Sequence, residues 1–230
     1  MKQSFDMAAA SKNGSAEILL NTAEALFSAS GYDGVSMRDL TREAGVNLAA
    51  VNYHFGSKEQ LFQAVIRRRV APLNARRLEA LDLILKSAGN RPPDLAAVLE
   101  AFARPIVVDL MRAGHEPLRR LAVRLFTAAD PLVEPIIDQE FGPVARRFIA
   151  AFAAARPGLS SREINMGFVF FLGATVKWLS MKNVRVLKVS WEGAPPSEEE
   201  ALEALVRCGV AMFDSFPGNA AKPAKRRGRA

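Results

Sequence analysis

Four helix starts crowd into about 45 residues of this chain, and their spacing constrains the fold more than any other feature. From Ser15 to Ser30 the apolar residues Ile18, Leu19, Ala23, Leu26 and Phe27 recur at helical spacing, and Gly31 follows where a left-handed cap is needed. Ser36 heads "SMRD", with Asp39 placed near the positive end of a second, short helix that Gly45 stops. A third helix starts at the N-cap Asn47 and ends before "FGS". Ser57 and Gln60 form the capping-box pattern of a fourth. The middle pair is joined by a tight turn at Gly45 and Val46, the layout of a helix-turn-helix.

Helical signals continue to the C-terminus, and strand signals do not appear. Helices are expected near 58–86, 94–112, 116–128, 131–155, 161–182 and 197–215, separated by "GNRPPD", "AGHEP", "ARPGLSS" and "WEGAPPS". Ser197 with three following glutamates is a strong start for the last. The fold expected is all-α: an N-terminal three-helix helix-turn-helix domain over 15–62 and a C-terminal helical bundle over 63–216. A flexible arm, 1–14, would precede them and a disordered basic tail, 217–230, would follow. Pro72, midway along the fourth helix, would localise a bend in the segment joining the two domains.

Composition narrows the function. Half of the 230 residues are hydrophobic, enough for a substantial core. Cys208 is the single cysteine and the two histidines, His54 and His115, are far apart, so neither a disulfide nor a metal site is expected. The most apolar run, Ile164 to Val176, is too short to span a bilayer, and a cytoplasmic protein without a membrane partner is expected. The net charge of +7 invites a nucleic-acid reading, but five cations lie in the tail (Lys222, Lys225, Arg226, Arg227 and Arg229), leaving +2 on the rest. That tail suits either added phosphate affinity or simple solubility. From Ser15 to Val65 three bases stand against six acids, a balance of −3, so charge alone would not find a DNA-binding domain there.

The stretch "GVNLAAVNYHFGSKEQL" carries the functional signal. A catalytic use is disfavoured: Ser57 is a cap and His54 has no local carboxylate partner. No paired acids or metal ligands occur elsewhere at suggestive spacing, so neither an enzyme nor a cofactor is expected. If Val51 and Phe55 point inward with Val46, then Asn47, Leu48, Ala49, Asn52 and Tyr53 are left on an outer surface about two turns long. Leu48 and Ala49 suit thymine methyls, and an asparagine reads adenine in the major groove. Tyr53, Ser57 and Lys58 suit phosphate oxygens. Arg67, Arg68 and Arg69, just beyond, suit either DNA or an ion-paired seam.

The run from Ala16 to Arg69 resembles the DNA-binding domain of the TetR family of bacterial transcriptional regulators. The match lies in Leu26, Phe27, Gly31, Tyr32, Ser36, Ala44, Gly45, Val46, His54, Phe55, Ser57, Lys58, Glu59 and Leu61, over about a fifth of the chain. The tyrosine that commonly binds phosphate in that family is displaced here by one position, to Tyr53. The resemblance implies a repressor that binds DNA through Ser36, Asn47, Leu48, Ala49, Asn52, Tyr53, His54, Ser57 and Lys58. It also implies release by an effector held in the bundle.

A short helix-turn-helix reads only a few base pairs, so pairing into a homodimer on a palindromic operator is expected. Gly167, Gly173 and Ala174 in one of the last helices, and Ala201, Leu205, Cys208, Gly209 and Met212 in the other, are the candidate dimer surfaces. Phe102, Phe126, Phe148, Phe152, Phe170, Phe171 and Trp178 are candidates to line a pocket for an apolar or amphipathic effector. "AGVNLAAVNYHFGSKEQL" with "FFLGA" is similar to the branch of the family that includes the fatty-acid-responsive PsrA regulators, which makes a fatty acid or acyl-CoA the first ligand to test. The alternative is a helical lipid- or metabolite-binding protein without sequence-specific DNA binding.

Overall fold

The computed structural model describes residues 2–111, 119, 123, 134–180 and 194–218, of which the side chains of residues 2–13 are not described. The described residues form eight α-helices and no strand: α1 (Lys2–Ser30), α2 (Met37–Ala44), α3 (Leu48–Phe55), α4 (Lys58–Ala88), α5 (Leu95–Arg104), α6 (Glu134–Ala155), α7 (Ser161–Ser180) and α8 (Glu198–Asp214). The fold class is the one expected. The helix expected over 116–128 lies outside the described residues apart from 119 and 123.

Several boundaries differ from those the sequence suggested. Helical backbone begins at Lys2 rather than Ser15, because "KQSFDMAAASK" contains good helix formers and no breaker before Gly14. Helix α5 leaves α-geometry at Arg104 and widens into a π-turn over Pro105–Asp109. The cause is Pro105, which has no N–H to give to the carbonyl four residues back. Gly218, placed by the sequence in the basic tail, is engaged: its N–H donates to Glu163 Oε1 at 3.0 Å and it holds φ +66°, while residues 219–230 lie outside the described residues.

The chain divides into two compact units. The first comprises Met1–Asn74 and 112–141, and the second Ala75–Met111 and 142–230. The division in α4 thus falls at Asn74, not at residue 62. Leu61, Phe62, Val65, Ile66 and Val70 of α4 are all buried with Leu19, Ala23 and Phe27 of α1, Leu40 of α2, Val51 of α3 and Ile136 of α6. Ile18, counted on the same stripe of α1, is 50% exposed.

The second unit packs around aromatic side chains. Phe102 of α5, Phe148 and Phe152 of α6, Phe168 and Phe171 of α7 and Phe213 of α8 share one buried cluster with Leu81, Leu95 and Leu99. Phe102 meets Phe148 at 5.2 Å and Phe168 at 5.5 Å between ring centroids, both edge to face. Gly167 allows α7 and α8 to touch: a Cβ there would lie 2.6 Å from the Phe213 ring. No described helix is long and apolar enough to cross a membrane.

Candidate nucleic-acid interface

The helix-turn-helix is built by side-chain caps. Ser36 Oγ accepts from the Asp39 N–H at 3.1 Å while Asp39 Oδ2 accepts from the Ser36 N–H at 3.1 Å, closing the box at the start of α2. These hydrogen bonds from Ser36 hold the half-buried Asp39 carboxyl below its ordinary range, against a small opposing effect of desolvation. Gly45 ends α2 at φ +65°, a conformation that suits glycine, and the Val46 N–H bonds back to Thr41 O at 3.1 Å. Asn47 then caps α3, its Oδ1 accepting from the Ala50 N–H at 2.9 Å. Two caps and one glycine therefore fix the angle at which α3 leaves the turn.

Packing decides which face of α3 is left outside. Val51 is fully buried, and Val46 and Phe55 are half-buried against the same core. Asn47, Leu48, Ala49, Asn52 and Tyr53 are exposed, as is Ser57 beyond the helix. Leu48 is 52% and Tyr53 68% exposed, which are large values for side chains of their size in a folded domain.

Four of the expected contact residues also make interactions within the domain. His54 is half-buried, with Nε2 2.8 Å from the Ser15 hydroxyl, so it ties the end of α3 to α1. The Lys58 ammonium lies 4.0 Å above the Tyr32 ring, a cation–π contact that holds it at the start of α4. Ser36 is engaged by its capping box, its hydroxyl donating to Asp39 Oδ2 at 2.5 Å. Ser57 also caps, accepting from the Gln60 N–H at 3.1 Å.

The three successive arginines form an ion-paired seam. Arg67 pairs with Glu140 of α6 at 2.6 Å. Arg68 reaches Glu24 of α1 at 2.5 Å and Glu17 at 3.0 Å, while Arg69 reaches Glu24 at 2.6 Å. Burial pushes the Glu24 carboxyl up, but hydrogen bonds from Arg69 and Arg68 and their charges outweigh it and hold the group below its usual range.

In the second unit the expected pocket residues separate. Phe102, Phe148, Phe152 and Phe171 are buried and fill the core with one another. Phe170 is 55% exposed, because it lies about 100° around α7 from the inward Phe171. Phe126 lies outside the described residues. Trp178 is half-buried against the core, and its buried indole N–H has no hydrogen-bond partner among the described residues.

Sequence reasoning missed Arg77, fully buried on α4. Its Nε donates to Phe102 O at 2.8 Å, its guanidinium lies 4.6 Å from the Phe102 ring, and burial lowers its pKa to about 10. The second of two adjacent arginines within "NARRLEAL" gives no local sign of such burial. Also missed was an open cleft of about 490 Å³ between the end of α4 and the start of α5, lined by Leu83, Ile84, Ala88, Arg91, Pro92 and Ala97 among others.

The candidate dimer surfaces also divide. Gly209 sits against Phe171 and Leu99, where a Cβ would come within 2.9 Å and 3.0 Å, so like Gly167 it serves packing inside the unit. Gly173 and Ala174 are exposed beside Val169 and Phe170, and Cys208 is exposed on α8.

Comparison with known proteins agrees with this architecture. Residues 19–65 match the family model described as bacterial regulatory proteins, tetR family. Residues 100–212 match the tetracyclin repressor-like C-terminal domain. The HTH-type transcriptional regulator BetI of Agrobacterium fabrum is 36% identical over 72 residues, covering 31% of this chain and 34% of BetI. The match thus spans about a third of that curated relative. Among solved structures, a protein of Mesorhizobium loti assigned to the TetR family shares 21% identity over 87% of this chain and 96% of its own, with TM-score 0.58. AibR, solved with isovaleryl coenzyme A and operator DNA, shares 18% identity over 84% of this chain and 97% of its own, with TM-score 0.60. A transcriptional regulator of Pseudomonas aeruginosa PAO1 shares 16% identity, 86% and 88% coverage and TM-score 0.59. At these identities the structures speak for the fold.

Proposed function

The chain belongs to the TetR family of bacterial regulatory proteins, and from that premise we propose that it is a transcriptional repressor that binds a palindromic operator as a homodimer and leaves it when an effector binds the second unit. The observation that carries the reading is the exposed face of α3. Leu48, Ala49, Asn52 and Tyr53 stand out from a helix whose opposite side is anchored by Val51, and whose angle is set by the caps at Ser36 and Asn47. An exposed leucine and alanine gain nothing from water, but they gain from the apolar edges of bases in the major groove.

Phosphate contacts come from Tyr53, Ser57 and the N–H groups at the start of α4, with Lys58 joining them by leaving the Tyr32 ring. His54 acts through α1, by holding the end of α3 in place. The homodimer forms through the exposed side of α7, where Val169 and Phe170 flank Gly173 and Ala174.

For the effector, the aromatic core of the second unit supports an apolar or amphipathic molecule. AibR, with its bound isovaleryl coenzyme A, gives a fold precedent for an acyl-CoA. The buried Trp178 N–H is the donor such a ligand would satisfy. Release requires the ligand to prefer a bundle conformation in which the two α3 helices no longer fit successive major grooves.

The test is selection of bound sequences from random duplexes at fixed salt. Enrichment of one palindrome supports the reading. Failure to enrich any, together with binding of isovaleryl or palmitoyl coenzyme A, would favour the helical metabolite-binding alternative.

A further inference from the structure

We infer that α3 reads A·T base pairs, through methyl contacts from Leu48 and Ala49 and a two-point amide contact from Asn52, and specifies no guanine beneath it. The inference rests on the operator-binding reading above and names the base chemistry of that same surface.

The eight residues of α3, "LAAVNYHF", include no arginine, lysine, glutamine or carboxylate. Guanine presents two acceptors, N7 and O6, to the major groove and is read by a paired cationic donor. The amino group of cytosine is read by a carboxylate. Neither type of reader is on this helix. Of the other polar groups at this helix, Tyr53 is given above to phosphate, and the N-cap and the last turn are engaged within the domain. Asn47 Oδ1 is held by the Ala50 N–H, and His54 Nε2 by the Ser15 hydroxyl.

That leaves Asn52 as the exposed amide in the middle of the helix, one donor and one acceptor side by side. Adenine offers the complement, N7 as acceptor and the N6 amino group as donor. Asn52 lies four residues after Leu48 and three after Ala49, so all three share one face. Leu48, half exposed, would cover the C5 methyl of a thymine in the same run of base pairs. Arg38, exposed on α2, lies outside this face, and any guanine it meets would flank the α3 segment.

The experiment uses the full chain and the palindrome it selects. In each half-site, dT beneath α3 is replaced by deoxyuridine, which deletes only the methyl, and dA by 7-deaza-2′-deoxyadenosine, which deletes only the N7 acceptor. Each contacted methyl removed should weaken binding about fourfold, and the N7 deletion about tenfold. Leu48→Ala should abolish sensitivity to one deoxyuridine, and Asn52→Ala sensitivity to the 7-deaza base. Both side chains are exposed, so the variants keep the fold. G·C pairs beneath α3, or affinity indifferent to every such replacement, would overturn the inference while leaving operator binding intact. Failure to select any palindrome would defeat the operator-binding reading itself and this inference with it.

Discussion

His54 Nε2 lies 2.8 Å from the hydroxyl of Ser15, and this contact joins the last turn of the helix that faces outward to the helix that supports it. We propose that His54, assigned from the sequence to DNA, acts as a brace within the domain. Ser15→Ala should cost about 1 kcal/mol in denaturant unfolding. It should also weaken operator binding modestly and equally for matched and mismatched sites, as expected of a brace. Loss of base preference in this variant would place His54 among the readers instead.

Glu24 is shared by Arg68 and Arg69 with only 8% of its surface exposed. Because both arginines remain partly solvated, Glu24→Gln should lower stability by about 2 kcal/mol at neutral pH, less than a fully buried pair would lose. The folded pKa lies below the ordinary 4.5, so the stabilisation is fully present above that value and disappears as pH falls through the lowered one. The gap between wild type and Glu24→Gln should therefore close on acidification, as measured by urea midpoints at a series of pH values.

Gly167 and Gly173 lie on the same helix and should respond oppositely. Gly167→Ala forces a methyl to within 2.6 Å of the fully buried Phe213 ring and should cost about 1–3 kcal/mol. Gly173→Ala meets nothing within 4 Å and should leave the folded chain unharmed or slightly more stable. Thermal unfolding of the two variants compares them directly.

Phe170, offered by sequence to the pocket, stands on the outside of α7. Phe170→Asp should shift the protein from dimer to monomer in sedimentation and weaken binding to a palindrome at least about tenfold, because the two half-sites are then bound separately. A dimer unaffected by this change would place the interface elsewhere.

The first unit carries −3 from Ser15 to Val65, and its three successive arginines are engaged in ion pairs. Much of any salt dependence should then come from the five cations after residue 221. A chain ending at Gly218 should bind with a shallower dependence of log K on log salt, by up to about 9 in slope for the two tails of a dimer, and select the same palindrome.

What was legible in the sequence was what the local chain decides. Ser36, Gly45 and Asn47 announce the turn because caps and left-handed glycines act within four residues. Val51 and the exposed face of α3 follow from helical periodicity alone. What could not be read depends on distant partners. His54 finds Ser15 39 positions away, Arg68 finds Glu24 44 away, and Arg77 finds Phe102 25 away. The unit boundary at Asn74 was equally hidden, because α4 runs through Pro72 and its buried face does not change character at residue 62. Phe170 and Phe171 are neighbours of the same type, and only the packing of α7 decides which is core.

The most direct test of α3 as the reader is to repeat the selection from random duplexes with Asn52→Ala beside the wild type. Both should enrich a palindrome with the same half-site spacing, and the variant should lose preference at one base pair in each half. Enrichment of an identical palindrome with undiminished preference at every position would contradict it.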